Sequence, residues 1–326
     1  YRAIHAFANR QQNIDGIVYF CTVSGGIAMA GEGASNGSDL TKNAKSALEE
    51  SKHRGKNTMT FFSPDMTESK LRRLELSDRL QASVLDGMRG FSVHYQPLVN
   101  ADTMRIGGAE ALLRWDAGDL GSVGPDEFVP VLESYGLISQ VGRWVLDQAL
   151  VRCAEWSGSH PGFVMNVNIS YLQLFEPDFI GFVQDALART GVDPSQLVLE
   201  MTESYFVTDL DALKTVFSRL RDLGIRLAMD DFGTGYSSLG MLSQSPADIV
   251  KIDRAFIRNI DAEAFNRSFI DAVIDLCHSV GIEVTVEGVE EAPELDTVRT
   301  IGADCIQGFL VSKPVTADDF EKRFLA

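Results

Sequence analysis

The sequence predicts an α/β chain. Its larger part is a (β/α) barrel with an irregular start, preceded by a partial α+β unit. Three observations carry this. From Phe91 onward, strand-like and helix-like segments alternate seven or eight times over about 240 residues, as a closed (β/α) barrel requires. The first two strand-like runs, Phe91 to Val99 and Ile106 to Trp115, are joined by a short turn at Asn100-Ala-Asp. A turn that short suits an antiparallel pair better than a parallel one. No GxGxxG follows the first strand, which disfavours the runner-up, a doubly wound open sheet.

In chain order, residues 1–13 read as the end of a helix and Gly16 to Thr22 as a β-type run. Ser24-Gly25-Gly26 reads as a turn, and 31–37 as a Gly/Ser-rich loop. Leu40, Ala44, Ala47 and Leu48 recur at helical spacing within 39–52, and 57–62 is a short strand. Such a unit, about 62 residues, is too small to stand comfortably alone. Ser63-Pro64-Asp65 breaks the pattern, so 1–64 is taken as the partial unit. Residues 65–88 are a connector or first helix, with Leu71, Leu74, Leu80 and Leu85 on one stripe, and 89–326 are the barrel. Within the barrel, helices are expected at 125–135, 138–156, 177–190, 204–223, 263–280, 291–301 and 317–324, with a short one after residue 231. Strands are expected at 163–169, 197–201, 225–229, 248–252, 283–286 and 305–306.

The composition, 45% hydrophobic and 23% charged, is that of a globular chain with ample length for a core. The net charge of −17 argues against a nucleic-acid polymer as partner. Residues 1–66 carry 7 Lys/Arg against 6 Asp/Glu, and the remainder 22 against 40, so the acidity belongs to the barrel. Cys21, Cys153, Cys277 and Cys305 show no CxxC, and the five histidines are scattered. That pattern fits reduced thiols in the cytoplasm and argues against the usual Cys/His zinc sites. The longest uncharged run, 16–31, is interrupted by Ser24, Gly25 and Gly26 and cannot span a bilayer, so no membrane contact is expected within this chain. The missing start Met leads us to expect a longer parent, anchored to the inner membrane through preceding segments.

The most informative stretch is Ala228-Met-Asp-Asp-Phe-Gly-Thr-Gly-Tyr-Ser-Ser-Leu239. Successive strand residues face opposite sides, so Asp230 and Asp231 can converge only where their strand ends. Two carboxylates about 4 Å apart repel by about 4 kcal/mol at an effective dielectric near 20. A shared proton, a basic group or a divalent cation must offset this. Other strands end similarly: Glu110 in the second, then Asn168, Glu200, Lys251 with Asp253, Glu287 and Gln307. Active sites of (β/α) barrels lie at those ends. Five carboxylates and Asn168 around one mouth suit octahedral Mg²⁺ or Mn²⁺, and two such ions clamp an in-line attack on a phosphate ester. Lys251 would orient water, offset phosphate charge or bridge to an acid. Arg114 would meet a phosphate or form a rim salt bridge, and Gln96 would contact a base or phosphate. An unrelated lyase or isomerase using one Mg²⁺ would call for more basic residues than Lys251 and Arg114.

Together the motifs resemble the EAL family of cyclic di-GMP phosphodiesterases. They are Tyr95-Gln-Pro97, Glu110-Ala111-Leu112, Asn166-Val-Asn-Ile-Ser170, Glu200-Met-Thr-Glu-Ser204, Asp230-Asp-Phe-Gly-Thr-Gly-Tyr-Ser-Ser238, Lys251-Ile-Asp253, Glu287-Gly-Val-Glu290 and Gln307-Gly-Phe309. The match runs from about residue 70 to 326; only Met201 and Phe309 depart, where Leu and Tyr are common, and neither carries chemistry. The resemblance implies a TIM-like (β/α)8 barrel with an antiparallel first strand. It implies hydrolysis of cyclic di-GMP to linear pGpG, lowering a bacterial second messenger, or alternatively a catalytically weak receptor for it. Two Mg²⁺ or Mn²⁺ ions are implied. Glu110, Asn168, Glu200 and Asp230 would hold the first, and Asp230, Asp231 and Asp253 the second. Lys251 would hold the attacking water, Glu287 would be a ligand or proton acceptor, and Gln307 would orient the water. Gln96, Glu110, Leu112 and Arg114 would touch the substrate. Glu203 would anchor the loop after Asp231, Glu290 would support the site from behind, and the barrels would pair as a homodimer. Residues 22–28 and 44–61 are similar to the back half of a GGDEF (diguanylate cyclase) domain without its signature loop, which would pass signals through the connector helix.

Overall fold

The structure is a computed structural model. It describes residues 12–14, 17–19, 22–31, 35–53, 57–203, 210–234, 242, 246–260 and 262–326. Expectations for 1–11, 204–209 and 235–241, and for Cys21, fall outside these residues. The chain divides into two compact units, Tyr1–Arg79 and Leu80–Ala326.

In the first unit, β1 (Gln12–Ile14) and β2 (Ile17–Tyr19) form an antiparallel hairpin. Gln12 and Asn13 are therefore strand, not helix. The stretch read as a turn is likewise a strand, β3 (Gly25–Ile27), paired in parallel with β4 (Met59–Phe61). The reason is close packing. A Cβ on Gly26 would lie 2.1 Å from the Ala44 carbonyl oxygen of α1 (Gly37–His53), so the glycines let the strand lie against the helix.

The division falls inside helix α2 (Asp65–Leu85). Its buried apolar positions are Leu76, Leu80 and Val84, whereas Leu71, Leu74 and Leu85 are exposed. The four-leucine stripe is thus wrong except at Leu80. The buried line runs at strict i, i+4 spacing and uses a valine in place of the last leucine.

The second unit is a barrel. Its strands are β5 (Phe91–Asn100), β6 (Ile106–Asp116), β8 (Val164–Asn168), β9 (Leu197–Thr202), β10 (Arg226–Phe232), β11 (Ile249–Ile252), β12 (Glu283–Val286) and β13 (Cys305–Ile306). A short β7 (Ser122–Val123) pairs with the end of β6 outside the ring. Pairing runs β5-β13-β12-β11-β10-β9-β8-β6, and β6 returns to β5, which closes it. β5 is antiparallel to both neighbours and the other neighbours are parallel. The open-sheet runner-up is excluded by this closure.

The parallel strands read as continuous apolar runs because both faces are covered, and all four residues of β11 are buried. The covering helices are α3 (Pro125–Ser134), α4 (Ile138–Ser159), α5 (Tyr171–Leu174), α6 (Phe179–Thr190), α7 (Leu210–Asp222), α8 (Ala264–Ser279), α9 (Ala292–Thr300) and α10 (Ala317–Phe320). None of the helices among the described residues is long and apolar enough to cross a membrane.

Alternation along β5 sets one face outward and one inward. Tyr95 turns outward, edge-on to Trp156 of α4 at 4.9 Å between ring centroids. Trp156 stacks on Phe320 of α10 at 4.7 Å and donates its indole N–H to Glu321 at 2.9 Å. The Tyr95 backbone also exchanges hydrogen bonds with Val315, at 2.7 and 3.0 Å. This clasp fixes the strand whose next residue, Gln96, points inward.

β6 can approach β8 only because residue 108 is glycine: a Cβ there would lie 2.3 Å from the Val164 carbonyl oxygen. Gly108→Ala is expected to destabilise the barrel by about 1–3 kcal/mol, through forced separation of the two strands. Thermal and denaturant unfolding would measure it, and unchanged stability would show that the strands part freely there.

Candidate active site

The inward-facing polar side chains gather at the C-terminal ends of the parallel strands, around one buried ammonium group. Lys251 on β11 is fully buried. Its Nζ lies 2.6 Å from Glu287 Oε1, 2.8 Å from Glu200 Oε2, 3.4 Å from Glu110 Oε2 and 3.6 Å from Asp230 Oδ1. Each acid comes from a different strand or strand end: Glu110 from β6, Glu200 from β9, Asp230 from β10, Glu287 directly after β12.

Amide groups hold these carboxylates. Asn168 Nδ2 donates to Glu110 Oε1 at 2.6 Å, and Asn166 Nδ2 donates to Glu200 Oε1 at 2.7 Å. Gln307, following β13, donates Nε2 to Glu110 Oε2 at 2.6 Å and to Gln96 Oε1 at 3.0 Å. Gln96 stands directly across from Glu110 in the antiparallel pair and donates its own Nε2 to the Ser312 carbonyl at 3.1 Å. The turn that follows Asn168 is itself pinned. Ser170 caps α5 and donates its hydroxyl to Glu133 at 2.6 Å.

The two adjacent aspartates do not sit beyond the strand end. β10 continues through both to Phe232, and its register with β11 shifts between Met229 and Phe232. Asp231 lies in the left-handed region, at φ 56°. This bulge breaks the strict two-residue alternation that would send neighbours to opposite faces. The Asp231 N–H donates to Asp230 Oδ1 at 2.9 Å, and its carbonyl accepts from Thr234 N and Oγ1 at 3.2 and 2.8 Å. Gly233 N–H donates to Glu203 Oε2 at 2.7 Å. Asp253 caps the following turn, accepting from Ala255 N–H at 2.8 Å.

Glu110, Leu112 and Arg114 share one face of β6. Leu112 and Arg114 are half-buried, and Arg114 Nη1 donates to the Leu113 carbonyl at 2.9 Å. Glu290 is exposed on the turn after Glu287, and its backbone N–H is bonded to Glu294. The sequence reading did not single out Asn166, Ser312 or His94 as site residues. Asn166 was legible from the two-residue spacing in Asn166-Val-Asn168. Ser312 acts through its carbonyl, which leaves no side-chain signal. His94 lies across from Leu112, and burial, followed by the Arg114 charge, lowers its pKa.

Five acids face one buried lysine, and the imbalance appears in their titration. Burial pushes Glu200 well up, reinforced by the Glu110 charge against Lys251. Burial raises Asp230, with Lys251 opposing. Burial and then the Asp230 and Asp253 charges bring Asp231 to about 6. Burial brings Glu287 to about 8, although Lys251 opposes it. Glu110 goes the other way: burial would raise it, but Lys251 and the Gln307 and Asn168 hydrogen bonds outweigh that. Lys251 is pushed well up, because its surrounding carboxylates outweigh the cost of burial.

Among the described residues, no three His, Cys, Asp or Glu side chains stand arranged to hold a metal ion. The carboxylates are instead drawn onto Lys251. The donor chemistry nevertheless fits a hard divalent cation: carboxylate and amide oxygens, with neither thiol nor imidazole in the cluster. Gln307 Oε1 is buried with no hydrogen-bond donor, a further free oxygen at this mouth.

A raised carboxyl pKa stabilises the fold below the unfolded value and loses that contribution as pH rises through the folded one. For Asp231 and Glu287 the loss spans the window up to about 6 and about 8. Metal-free protein should therefore lose stability as pH rises from about 4 to about 8. Glu287→Gln should flatten this slope in denaturant titrations. An unchanged slope would mean that Glu287 is not carrying a displaced proton.

The EAL domain family profile matches residues 77–314. The bifunctional diguanylate cyclase/cyclic di-GMP phosphodiesterase MucR of Pseudomonas aeruginosa is 35% identical over 294 residues, covering 90% of this chain and 43% of that protein. The signaling protein YkoW of Bacillus subtilis is 33% identical, covering 92% and 37%. This chain thus spans less than half the length of either. The solved structure of the PaMucR phosphodiesterase in complex with c-di-GMP superposes with a TM-score of 0.71 at 36% identity, covering 76% of this chain and 99% of that one. The EAL enzyme Bd1971, bound to cAMP and cyclic-di-GMP, gives a TM-score of 0.74 at 30% identity, covering 89% and 76%. With the closed barrel, its antiparallel first strand and the acids gathered at its mouth, the chain belongs to the EAL domain family.

Proposed function

We propose that the barrel hydrolyses one phosphodiester bond of cyclic di-GMP, releasing linear pGpG, with two Mg²⁺ or Mn²⁺ ions. The observation that carries this reading is the buried Lys251 ammonium among Glu110, Glu200, Asp230 and Glu287, with Asp231 beside them. The substrate is supported by the MucR relative and by the c-di-GMP complex of its phosphodiesterase.

Glu110, Asn168, Glu200 and Asp230 would hold the first ion; Asp230 and Asp231, with Asp253 near them, the second. When bound, such ions polarise the phosphate and make a water more acidic. Lys251 presents its N–H donors to the attacking water and offsets charge on the phosphate. Its raised pKa keeps it cationic, so it orients and stabilises but does not act as a base. Glu287, 2.6 Å from Lys251, would accept the proton of that water only as its carboxylate, which forms above a pH of about 8 in the metal-free protein and which the charge of two bound cations would favour at lower pH. Gln307 holds Glu110 and Gln96 in register at the entrance. Arg114 offers the phosphate its guanidinium, and Leu112 an apolar surface between them.

We further read the first unit, with its parallel β3–β4 pair packed on α1, as the remainder of a GGDEF-like domain with a regulatory part. A cytoplasmic homodimer fits the resemblance. The alternative, a weak receptor, is less favoured because Lys251 and every acid of the cluster are in place.

A hydrolysis assay with product analysis tests this. Turnover should require Mg²⁺ or Mn²⁺ and vanish in excess chelator; full activity there would end the two-ion reading. Glu110→Ala should abolish turnover. Lys251→Ala should lower kcat by about 100- to 1000-fold while KM changes far less. Tight cyclic di-GMP binding without any turnover in the parent protein would favour the receptor.

A further inference from the structure

Gly233, in the turn after Asp231, has one polar and one apolar neighbour. Glu203 accepts the Gly233 N–H. The Phe256 ring lies against the Gly233 Cα. A Cβ on Gly233 would fall 2.5 Å from Phe256 Cε2 and 2.9 Å from Cζ. The ring is itself braced. Phe256 stacks on Phe269 of α8 with 4.7 Å between centroids and 26° between planes. Phe256 belongs to the turn that Asp253 caps, directly after β11. It therefore joins the strand end bearing Lys251 to the one bearing Asp231.

Asp231 needs such support. A non-glycine residue in the left-handed region costs of order 1 kcal/mol and persists only where its surroundings impose it. Asp231 and Gly233 both have positive φ, 56° and 97°, and the Asp231 N–H donates to Asp230 Oδ1 at 2.9 Å. Without the ring beneath Gly233, the turn could relax toward ordinary strand geometry and carry the Asp231 carboxylate away from Asp230.

We propose that Phe256 is a positioning residue for Asp231: its ring, wedged between Gly233 and Phe269, holds the bulged turn that keeps the Asp230–Asp231 pair converged. This rests on the two-ion reading above, in which Asp231 serves the second ion alone. The Phe256 ring has no atom to offer a cation and acts through the backbone of Gly233.

The test is Mn²⁺ binding by calorimetry, with hydrogen exchange at 226–234, on the parent, Phe256→Ala and Phe256→Leu. The parent should bind two Mn²⁺. Phe256→Ala should keep one site unchanged and weaken the other by about 10- to 100-fold. Exchange at Gly233 should quicken, and kcat should return at saturating Mn²⁺. Phe256→Leu, which keeps an apolar group under Gly233, should recover most of the second site. If Phe256→Ala does not fold, Phe256→Val takes its place. Two unaltered sites in Phe256→Ala, or two sites weakened alike, would overturn the role of Phe256 while leaving the two-ion reading intact. A parent that binds no Mn²⁺ would overturn that reading first, and this inference with it.

Discussion

The structure turns on one buried cation. A lysine with no exposed surface is tolerated only when opposite charges surround it, and four carboxylates do so here. The converse matters more. One ammonium cannot neutralise Glu110, Glu200, Asp230, Asp231 and Glu287. Burial, and then the excess negative charge, raises the pKa of Glu200, Asp230, Asp231 and Glu287 in the metal-free molecule. Glu110 escapes because three donors, from Lys251, Asn168 and Gln307, converge on it.

The barrel supplies that cluster at low cost because each strand needs to carry only one or two polar ends. β9 and β11 are apolar save for Glu200, Lys251 and Thr202, and all their residues but Thr202 are buried. The reversed first strand has a specific effect. Running antiparallel to β6, it sets Gln96 directly across from Glu110, and the same strand turns Tyr95 onto Trp156. A packing contact on the outside thereby fixes an amide on the inside.

Most of this was legible in the sequence, because hydrophobic runs ending in acids are a one-dimensional pattern. Closure of the sheet, the antiparallel start and the convergence of Glu110, Asn168, Glu200, Asp230, Lys251 and Glu287 follow from it. The failures share a cause. The Gly25–Ile27 strand, the Asp231 bulge and the exposed faces of Leu71, Leu74 and Leu85 depend on what lies across from them in space, not along the chain. A glycine pair reads as a turn until a helix is seen 2.1 Å from its missing Cβ. Adjacent aspartates read as a strand end until φ at Asp231 is known. Phe256 carried no signal, since a ring beneath a glycine is a contact between separate strand ends.

The clasp between the first strand of the barrel and the segment that follows its last strand also bears on synthesis. Tyr95 pairs with Val315, and Gln96 meets Gln307 across 211 positions of sequence. The ring of strands cannot close until β13 has been made, because β13 is the strand that pairs with β5. Until then β5 and β12 present open edges, and Glu110 lacks one of its three donors. Contacts of such long separation slow folding and expose strand edges to aggregation. A ribosome stalled before residue 305 would hold a sheet with most of its acids in line and no enclosed site: the mouth of the barrel is among the last things the chain can make.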